Sequence, residues 1–324
     1  MNKDNAARND SSNGYAVQSL PNYGTEKFGP LRKVLLHKPV ESLPIVNRDN
    51  YEYFLFDKLP SVEAYLSEHQ AYADLLESLG IQVFELSDLV IKNRDLLHLL
   101  PNLAYLHDTC VVTQKGAVLS KMSSGARQHE EIVVKEALQN LGIPIFYEFS
   151  EGQQFEGCLL LSPQTLFVAE TERHSRTSIE QFIPKALPIF DEVIYVIIPK
   201  LRRFMHSDMI FNRVNEHLAL AYLPAFALTM QYSREGINAI NNFRDFMAER
   251  EVEIINISDE EQQHWATSFV PLNSNTIIHY DIALENKTKM ELSRRGIQVI
   301  EFHPEALLAG GGSLRCLTLR LLRS

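Results

Sequence analysis

The chain has 324 residues, of which 45% are hydrophobic and 22% are charged, and this balance is typical of a globular protein with a substantial core rather than of a disordered one. Its formal net charge of −10 argues against a nucleic-acid or an anionic-membrane partner, because both require a basic surface. A small-molecule ligand fits this composition better.

No apolar run reaches the roughly 18 to 20 residues that span a bilayer, and the polar N-terminus lacks the apolar segment of a secretory signal. We therefore expect a cytoplasmic protein. Its cysteines, Cys110, Cys158 and Cys316, are single, with neither a CxxC motif nor a metal-ligand spacing. This pattern suits a reducing compartment and predicts neither a disulfide scaffold nor a metal site.

Residues 1–25 show no apolar periodicity and are predicted to form a flexible arm. After the arm one pattern recurs, in which an amphipathic helix ends at a short stop and a strand of alternating Val, Ile and Phe follows. The five copies occupy residues 72–86, 133–149, 179–198, 241–257 and 287–302. Gly80, Gly142 and Gly296 stand where a helix C-terminus favours a left-handed residue.

A β-hairpin pattern precedes the helices, with two apolar strands around a polar turn, as in residues 110–122, 158–170 and 209–223. The repeating unit is therefore hairpin, helix, strand. Such repeats predict an array of similar modules rather than a doubly wound sheet. If the array closes into a ring, polar residues at the hairpin edges converge on one axis, so residues distant in the sequence can form one site.

Ionisable and amide side chains with apolar neighbours stand at these edges and form the candidate site. They are Asn102, His107, Asp108, Arg127, Glu156, Arg173, His206, Asp208 and Cys316. In "RRFMHSDMIF", His206 and Asp208 are predicted to lie on one side of an extended strand, since residues i and i+2 share a face. Each candidate also has a structural explanation, because carboxylates cap turns, arginines form salt bridges and cysteines fill cores.

The segment "GGGSLRCLTL" distinguishes Cys316, since three glycines permit a close backbone approach and unusual backbone angles that a packing cysteine does not require. A cysteine nucleophile needs a proton-handling partner, and histidine is the side chain best matched to neutral pH. Two carboxylates in one pocket would bind a planar cation, while two arginines and an asparagine would hold a carboxylate. A guanidino acid such as arginine has both features.

Six motifs follow one another in order: "PNLAYLHDTCVV", "ARQHEE", "FEGCLLL", "ERHSR", "MHSDMIFNRVN" and "GGGSLRCLTL". Together with "LRKVLLHKP" they resemble the guanidino-modifying enzymes of the pentein fold, most closely arginine deiminases, from about residue 30 to the C-terminus. The resemblance implies an α/β fold, a five-bladed propeller of ββαβ modules with pseudo-fivefold symmetry. It also implies that residues 26–324 form a single catalytic domain.

For the chemistry, the resemblance implies that Cys316 attacks the guanidinium carbon of arginine and forms a covalent thiouronium intermediate. His206 protonates the departing amine and then activates water, and Glu156 orients His206. The products are citrulline and ammonia. No metal or organic cofactor is required.

For the substrate, the resemblance implies that Asp108 and Asp208 hold the guanidinium nitrogens. It implies that Asn102, Arg127 and Arg173 hold the amino-acid end. The bound guanidinium would also favour the thiolate, whose ordinary pKa of about 8.5 lies above neutral pH. The expected partner is thus a small guanidino molecule, and homo-oligomerisation is left open.

The chain departs from the family pattern at several positions. The usual "EGGD" is "EGCL", so Cys158 and Leu159 replace a glycine and an acid, and His107 stands where an arginine is common. The segment between Arg173 and His206 has no room for the helical insertion of microbial arginine deiminases. These departures leave four alternatives open: a dimethylarginine hydrolase, an arginine dihydrolase, an amidinotransferase and a non-catalytic binding protein.

Overall fold

Helices and short strands alternate along the chain and form a mixed α/β fold. The computed structural model of the protein describes residues 21–157 and 159–324. Most of the predicted N-terminal arm lies outside the described residues. At its end, Gly24 and Thr25 donate backbone hydrogen bonds to residues of the packed chain. The domain boundary near residue 25 stays a prediction.

The elements have the following bounds. The strands are β1 (Leu31–Leu36), β2 (Gln82–Glu85), β3 (Cys110–Thr113), β4 (Gly116–Leu119), β5 (Ile145–Glu148), β6 (Leu159–Leu160), β7 (Thr165–Glu170), β8 (Glu192–Ile197), β9 (Phe211–Arg213), β10 (Leu218–Ala221), β11 (Leu228–Ser233), β12 (Gly236–Ile240), β13 (Glu253–Asn256), β14 (Val270–Asn273), β15 (Thr276–Tyr280), β16 (Gln298–Phe302) and β17 (Leu319–Arg323). The α-helices are α1 (Val62–Ser78), α2 (Leu86–Leu89), α3 (Glu130–Asn140), α4 (Arg176–Ala186), α5 (Phe243–Ala248), α6 (Asp259–Gln263), α7 (Asn286–Arg294) and α8 (Leu314–Leu317). Short 3-10 helices lie at Leu43–Ile45, Arg94–Leu99, Pro101–Ala104, Leu106–Thr109, Gly125–Arg127, Arg202–Phe204, Ser207–Met209, Leu223–Ala225 and Leu307–Gly310.

In the described part of the chain the strands form five sheets, and each sheet joins an antiparallel strand pair to a parallel third strand. In four sheets the pair is a hairpin and the third strand follows a helix; these sets are β3–β4 with β5, β6–β7 with β8, β9–β10 with β13, and β14–β15 with β16. In the remaining sheet β1 is antiparallel to β17 and parallel to β2, so the two ends of the chain replace the hairpin. The order predicted from the sequence is thus present in the described chain. The β11–β12 hairpin, which was not predicted, extends the sheet of β6, β7 and β8 beyond β8.

The predicted helix stops have the expected backbone geometry. Gly80, Gly142 and Gly296 follow α1, α3 and α7 with φ angles of 80°, 74° and 73°. Glycine adopts this left-handed conformation without the steric penalty of a side chain, so the chain can reverse directly into β2, β5 and β16.

Among the described residues the hydrophobic core consists of five clusters, and each cluster takes side chains from two different sheets. Representative members are Leu35 with Val112, Val118 with Val168, Ile194 with Ala219, Leu220 with Ile277, and Val34 with Ile278. Since neighbouring residues of a strand point to opposite faces, Val34 and Leu35 reach different clusters. Each sheet therefore contributes to two cores. Among the helices of the described chain, none combines the length and the apolar character needed to cross a membrane.

Because the cores are shared between sheets, we predict that burial, rather than β-propensity, controls the stability of the sheet formed by β6, β7, β8, β11 and β12. Ile194 in β8 is fully buried, whereas Ile237 in β12 is 63% exposed. We expect Ile194→Ala to lower the free energy of unfolding by about 2–5 kcal/mol. The matched control Ile237→Ala should change it by no more than about 0.5 kcal/mol. Urea unfolding followed by circular dichroism measures both, and equal losses would contradict this assignment of the core.

Candidate active site

Cys316 lies in α8, immediately after the glycine run, and the backbone there passes very close to Tyr105. A Cβ atom at Gly310 would lie 1.5 Å from the Tyr105 hydroxyl oxygen, and one at Gly312 would lie 2.6 Å from a ring carbon. Gly311 has a φ of 69°, a conformation that favours glycine. The close approach predicted from the three glycines is therefore confirmed.

The Cys316 thiol is buried and lies within hydrogen-bond distance of Ser313. The Cys316 Sγ lies 3.4 Å from Ser313 Oγ, which also accepts a hydrogen bond from the Cys316 backbone N–H. Burial raises the pKa of the thiol, and the negative charges of Asp208 and Asp108 raise it further, whereas the hydrogen bonds with Ser313 lower it. The thiol of the free protein is therefore protonated at neutral pH.

His206 lies between two buried carboxylates. Its Nε2 is 2.7 Å from Glu156 Oε2, and its Nδ1 is 3.4 Å from Asp108 Oδ1. Burial alone would lower the pKa of His206, but Asp108 and Glu156 together raise it above its ordinary value. Burial would likewise raise the pKa of Glu156, yet the hydrogen bond and charge of His206 hold it well below its usual range. The geometry favours an imidazolium.

The predicted strand at His206 and Asp208 is wrong, because Ser207–Met209 is a turn of 3-10 helix. The Met209 backbone N–H donates to the His206 carbonyl, and the Thr267 hydroxyl donates to the Asp208 carbonyl at 2.6 Å. These bonds give the backbone carbonyls of His206 and Asp208 hydrogen-bond donors in the turn that precedes β9. The two side chains nevertheless stay near each other, because a tight turn also keeps neighbouring residues together.

The carboxylate of Asp208 already has two polar partners. Its Oδ2 accepts a hydrogen bond from Ser268 Oγ at 2.6 Å and lies 3.5 Å from Arg315 Nε. Both Asp208 and Arg315 are 1% exposed. A guanidinium held by Asp208 would therefore share this carboxylate with Arg315.

Arg127 is largely occupied by carboxylates. Its Nη1 donates to Asp108 Oδ2 at 2.6 Å, its Nε and Nη2 donate to Glu130, and Nη2 also reaches the Tyr105 carbonyl at 3.0 Å. Burial would lower the pKa of Arg127, but the charges of Glu130 and Asp108 raise it. Arg127 thus positions Asp108 and retains one N–H on Nη1 for a ligand.

Arg173 and Asn102 are freer to bind a ligand. The Arg173 Nε donates to Glu172 at 3.3 Å, and its Nη1 is 3.9 Å from Glu156. The Asn102 amide donates to the Phe54 carbonyl at 2.6 Å, which leaves its carbonyl oxygen available.

One cavity of about 470 Å³ brings most of the predicted residues together. It is lined by Asn102, Asp108, Arg127, Arg173, His206 and Cys316, among others. Glu156 and Asp208 do not line it; they border a smaller adjacent cavity with His107, Asp108 and His206. Within the described residues, no group of three or more His, Cys, Asp or Glu side chains could hold a metal ion.

The structure adds residues that the sequence analysis missed. Ser123 holds Glu156 through its backbone N–H at 2.7 Å and its hydroxyl at 2.8 Å, and no sequence signal identifies it. Arg202 lines the main cavity and donates to the Leu55 carbonyl at 3.0 Å. Ser313 was detectable, because a serine directly before a short helix is a typical N-cap.

The departures from the family pattern have different outcomes. His107 is buried, and burial together with the charge of Arg315 lowers its pKa well below its ordinary value, so it is neutral. It lies 4.0 Å from Asp208. It therefore does not supply the charge of the arginine that it replaces. Cys158 and the side chain of Leu159 lie outside the described residues.

Sequence comparison places the chain among known proteins. The sequence model of the arginine deiminase family matches residues 90–323. The uncharacterized protein YkgA of Bacillus subtilis strain 168 is 27% identical over 300 residues, covering 92% of this chain and 94% of YkgA. The arginine deiminase of Listeria welshimeri is 24% identical and covers 92% of this chain and 98% of its own.

Solved structures share the fold. AgrE in complex with ornithine and NAD⁺ superposes with a TM-score of 0.70 at 22% identity over 90% of this chain, which spans only 39% of AgrE. The N-terminal domain of ArgZ, a cyanobacterial arginine dihydrolase, gives 0.68 at 21% identity over 89% of this chain and 96% of that domain. A dimethylarginine dimethylaminohydrolase gives 0.64 at 15% identity over 90% of this chain and 99% of its own.

The chain shares its mixed α/β fold with guanidino-group-modifying penteins. Because the family model covers most of the chain, the protein belongs to the arginine deiminase family. At the level of the family, this supports an enzyme that acts on guanidino groups.

The contact between Glu156 and His206 predicts a pH effect. Since the folded-state pKa of His206 is raised, protonation of His206 stabilises the fold at low pH, and this contribution disappears as the pH rises through that pKa. Glu156→Gln removes the charge that favours the imidazolium, so we expect the pKa of His206 to fall. An NMR titration of the His206 ring measures it. Glu172→Gln is the control, because Glu172 contacts Arg173 instead; an equal shift in both variants would contradict this electrostatic coupling.

Proposed function

We propose that the protein is an arginine deiminase, which hydrolyses L-arginine to citrulline and ammonia through a covalent thiouronium on Cys316. The observation that supports this proposal is the composition of one cavity: a buried thiol, a histidine with a raised pKa and the carboxylate of Asp108 share it with Arg127 and Arg173. A thiol with these partners suits attack on a planar cation, and the arginines suit a carboxylate at the far end.

Binding of arginine would place its guanidinium beside Asp108 and its amino-acid end beside Arg173 and Asn102. Arg127 contributes one free N–H, but mainly holds Asp108. Asp208 would approach the guanidinium from the side of Arg315. This arrangement orients the guanidinium carbon toward the Cys316 sulfur.

The reaction would begin with loss of the thiol proton. In the free protein, burial and the charges of Asp108 and Asp208 keep Cys316 protonated. A bound guanidinium offsets those negative charges, so substrate binding lowers the pKa of the thiol and releases its proton to solvent. Ionisation of the nucleophile is therefore assisted by the substrate.

The thiolate then forms an S–C bond to the guanidinium carbon, and the His206 imidazolium donates a proton to the departing nitrogen, which leaves as ammonia. Neutral His206 next accepts a proton from water, whose oxygen attacks the thiouronium carbon. Cleavage of the S–C bond returns the electron pair to sulfur and restores the thiolate, while the remaining hydroxyl proton passes to solvent and citrulline is released. His206 is left as the imidazolium, which Glu156 stabilises.

We also propose that the five sheets are the blades of a closed propeller and that residues 26–324 form a single catalytic domain. The support is the distribution of the core, since each sheet shares one cluster with the sheet on either side and the fifth shares one with the first. The cytoplasmic location and the exclusion of nucleic-acid and membrane partners stay predictions.

The decisive assay is incubation of the purified protein with arginine, methylated arginines, agmatine and guanidinoacetate. We expect citrulline and one ammonia per arginine, identified by mass spectrometry. Cys316→Ser should lower the rate at least about 10³-fold, because a hydroxyl is a much weaker nucleophile here. Cys110→Ala, in β3, is the control and should retain activity.

Other products would contradict deimination and identify a rival. Ornithine with two ammonia molecules indicates a dihydrolase, citrulline formed only from methylated arginine indicates a dimethylarginine hydrolase, and amidino transfer to an added amine indicates a transferase. No turnover of any substrate would favour a binding protein.

Arg173 offers the cleanest test of the substrate's carboxylate, because Arg127→Ala would also strip Asp108 and Glu130 of their buried partner. We expect Arg173→Ala to raise the KM for arginine about 10- to 100-fold, the effect of losing one hydrogen bond between charged groups. The kcat/KM for agmatine, which lacks the carboxylate, should change less than about threefold.

Arg176→Ala is the control for this variant, since the Arg176 side chain is 60% exposed and pairs with Glu180. It should leave both kinetic constants unchanged. Equal losses on arginine and agmatine in Arg173→Ala would refute the assigned role of Arg173.

A further inference from the structure

A second cavity, separate from the active site, is lined by basic side chains; we call it the arginine cavity. Its volume is about 360 Å³, and its charged lining consists of Glu26, Lys27, Arg213, Arg315, Arg320 and Arg323. Four arginines and a lysine therefore face a single carboxylate. The chain as a whole has a net charge of −10, so its composition does not account for this local concentration of positive charge.

Two of these arginines have unpaired Nε donors. The Nε atoms of Arg320 and Arg323 are buried and have no hydrogen-bond acceptor among residues 21–157 and 159–324, whereas the Nε of Arg315 lies 3.5 Å from the Asp208 carboxylate. Arg315 and Arg323 are 1% and 4% exposed, and Arg320 is partly buried. Leaving a buried charged donor unpaired is strongly unfavourable, so two of them in one cavity favour an acceptor there.

The positions of two of these side chains are set by the backbone. Arg315 Nη1 donates to the Phe269 carbonyl at 3.3 Å, and Arg323 Nη2 donates to the Pro271 carbonyl. Each guanidinium is thus held at one edge, and the Nε of Arg323 stays unpaired among the described residues. Arg213 differs, because its Nε and both Nη atoms donate to backbone carbonyls and its guanidinium stacks on Phe28 at 4.6 Å. Arg213 forms a wall of the cavity rather than a free donor.

The charges facing the cavity are not balanced. Burial and the neighbouring charges of Arg315 and Arg323 hold the pKa of Arg320 well below its usual range, and burial lowers the pKa of Arg323 to about 10. On the negative side, burial raises the pKa of Glu26. Asp208 lies beyond Arg315, toward the active site. An anion among the three arginines would remove their mutual repulsion.

We propose that the arginine cavity binds a small inorganic oxyanion, and phosphate matches it best. The donors come from three separate side chains, and an oxyanion offers acceptor oxygens in several directions, whereas a halide offers one atom. Guanidinium groups pair with phosphate oxygens more strongly than neutral donors do. A phosphate there would also stabilise the segment that carries Cys316, because Arg315 precedes it and borders the cavity.

Equilibrium dialysis of the full chain against radiolabelled orthophosphate tests the proposal. Ionic strength is kept constant with a bulky organic anion, so that screening does not change. We expect one phosphate per chain. Thermal unfolding should shift upward by roughly 5 °C when phosphate reaches about 100 times its Kd. No bound phosphate would overturn the proposal, and so would an equal shift with chloride.

Variants locate the site. Arg323→Gln and, separately, Arg320→Gln should weaken phosphate binding at least about tenfold, since each removes a charged donor. Arg294→Gln, whose side chain is 64% exposed, is the control and should bind like the wild type. Arg173→Gln should retain phosphate. Loss of binding in Arg173→Gln with retention in Arg323→Gln would place the phosphate in the active site and overturn the proposal.

A competition on the wild-type protein keeps the test valid if the arginine-cavity variants do not fold. Saturating arginine or agmatine should leave the bound phosphate in place, because the arginine cavity is separate from the substrate cavity. Displacement of phosphate by either guanidino compound would overturn the proposal. This readout does not depend on whether the protein turns over arginine.

Discussion

The balance of buried charge around His206 is the constraint on which the rest of the site depends. Arg127 bonds to Asp108, Asp108 lies beside His206, and His206 bonds to Glu156, so opposite charges alternate along the series. Breaking a buried pair by removing one partner leaves an uncompensated charge, which is strongly destabilising. Asp108 and Glu156 raise the pKa of His206, and burial together with the charges of Asp208 and Asp108 raises the pKa of the Cys316 thiol.

The members of this series come from different sheets, so the site exists only when the sheets are packed. Asp108 precedes β3, Glu156 precedes β6, His206 precedes β9, and Cys316 precedes β17. The core clusters shared between sheets hold these segments at the distances observed. Stability of the hydrophobic core and geometry of the polar site are therefore linked, and Cys316 belongs to both.

The active site and the arginine cavity both contain buried arginines, but they differ in whether carboxylates compensate the positive charge. In the active site, Arg127 is compensated by carboxylates within hydrogen-bond distance. In the arginine cavity, Arg320 and Arg323 have unpaired Nε donors in the described part of the chain. Arg315 connects the two regions, since it approaches Asp208 on one side and lines the arginine cavity on the other. This difference in charge compensation distinguishes the candidate active site from the arginine cavity, which we propose binds an anion.

Local sequence patterns determined the repeating architecture. The helix stops at Gly80, Gly142 and Gly296, the hairpin, helix and strand order, and the close approach at the glycine run were all predictable, because each depends on neighbours along the chain. The ordered motifs likewise indicated which residues share a site. The hairpin β11–β12 was not predicted, because it is an addition to the repeating unit of hairpin, helix and strand.

Only the tertiary structure decided the details that depend on distant residues. The turn at Ser207–Met209 replaces the predicted strand, and a hydroxyl from Thr267 helps to hold it. Ser123 supports Glu156, and Arg315 competes for Asp208, without any local sequence signal. The physical reason is that backbone periodicity is set by short-range sterics and burial, whereas hydrogen-bond partners and the compensation of buried charge are set by which segments the fold brings together.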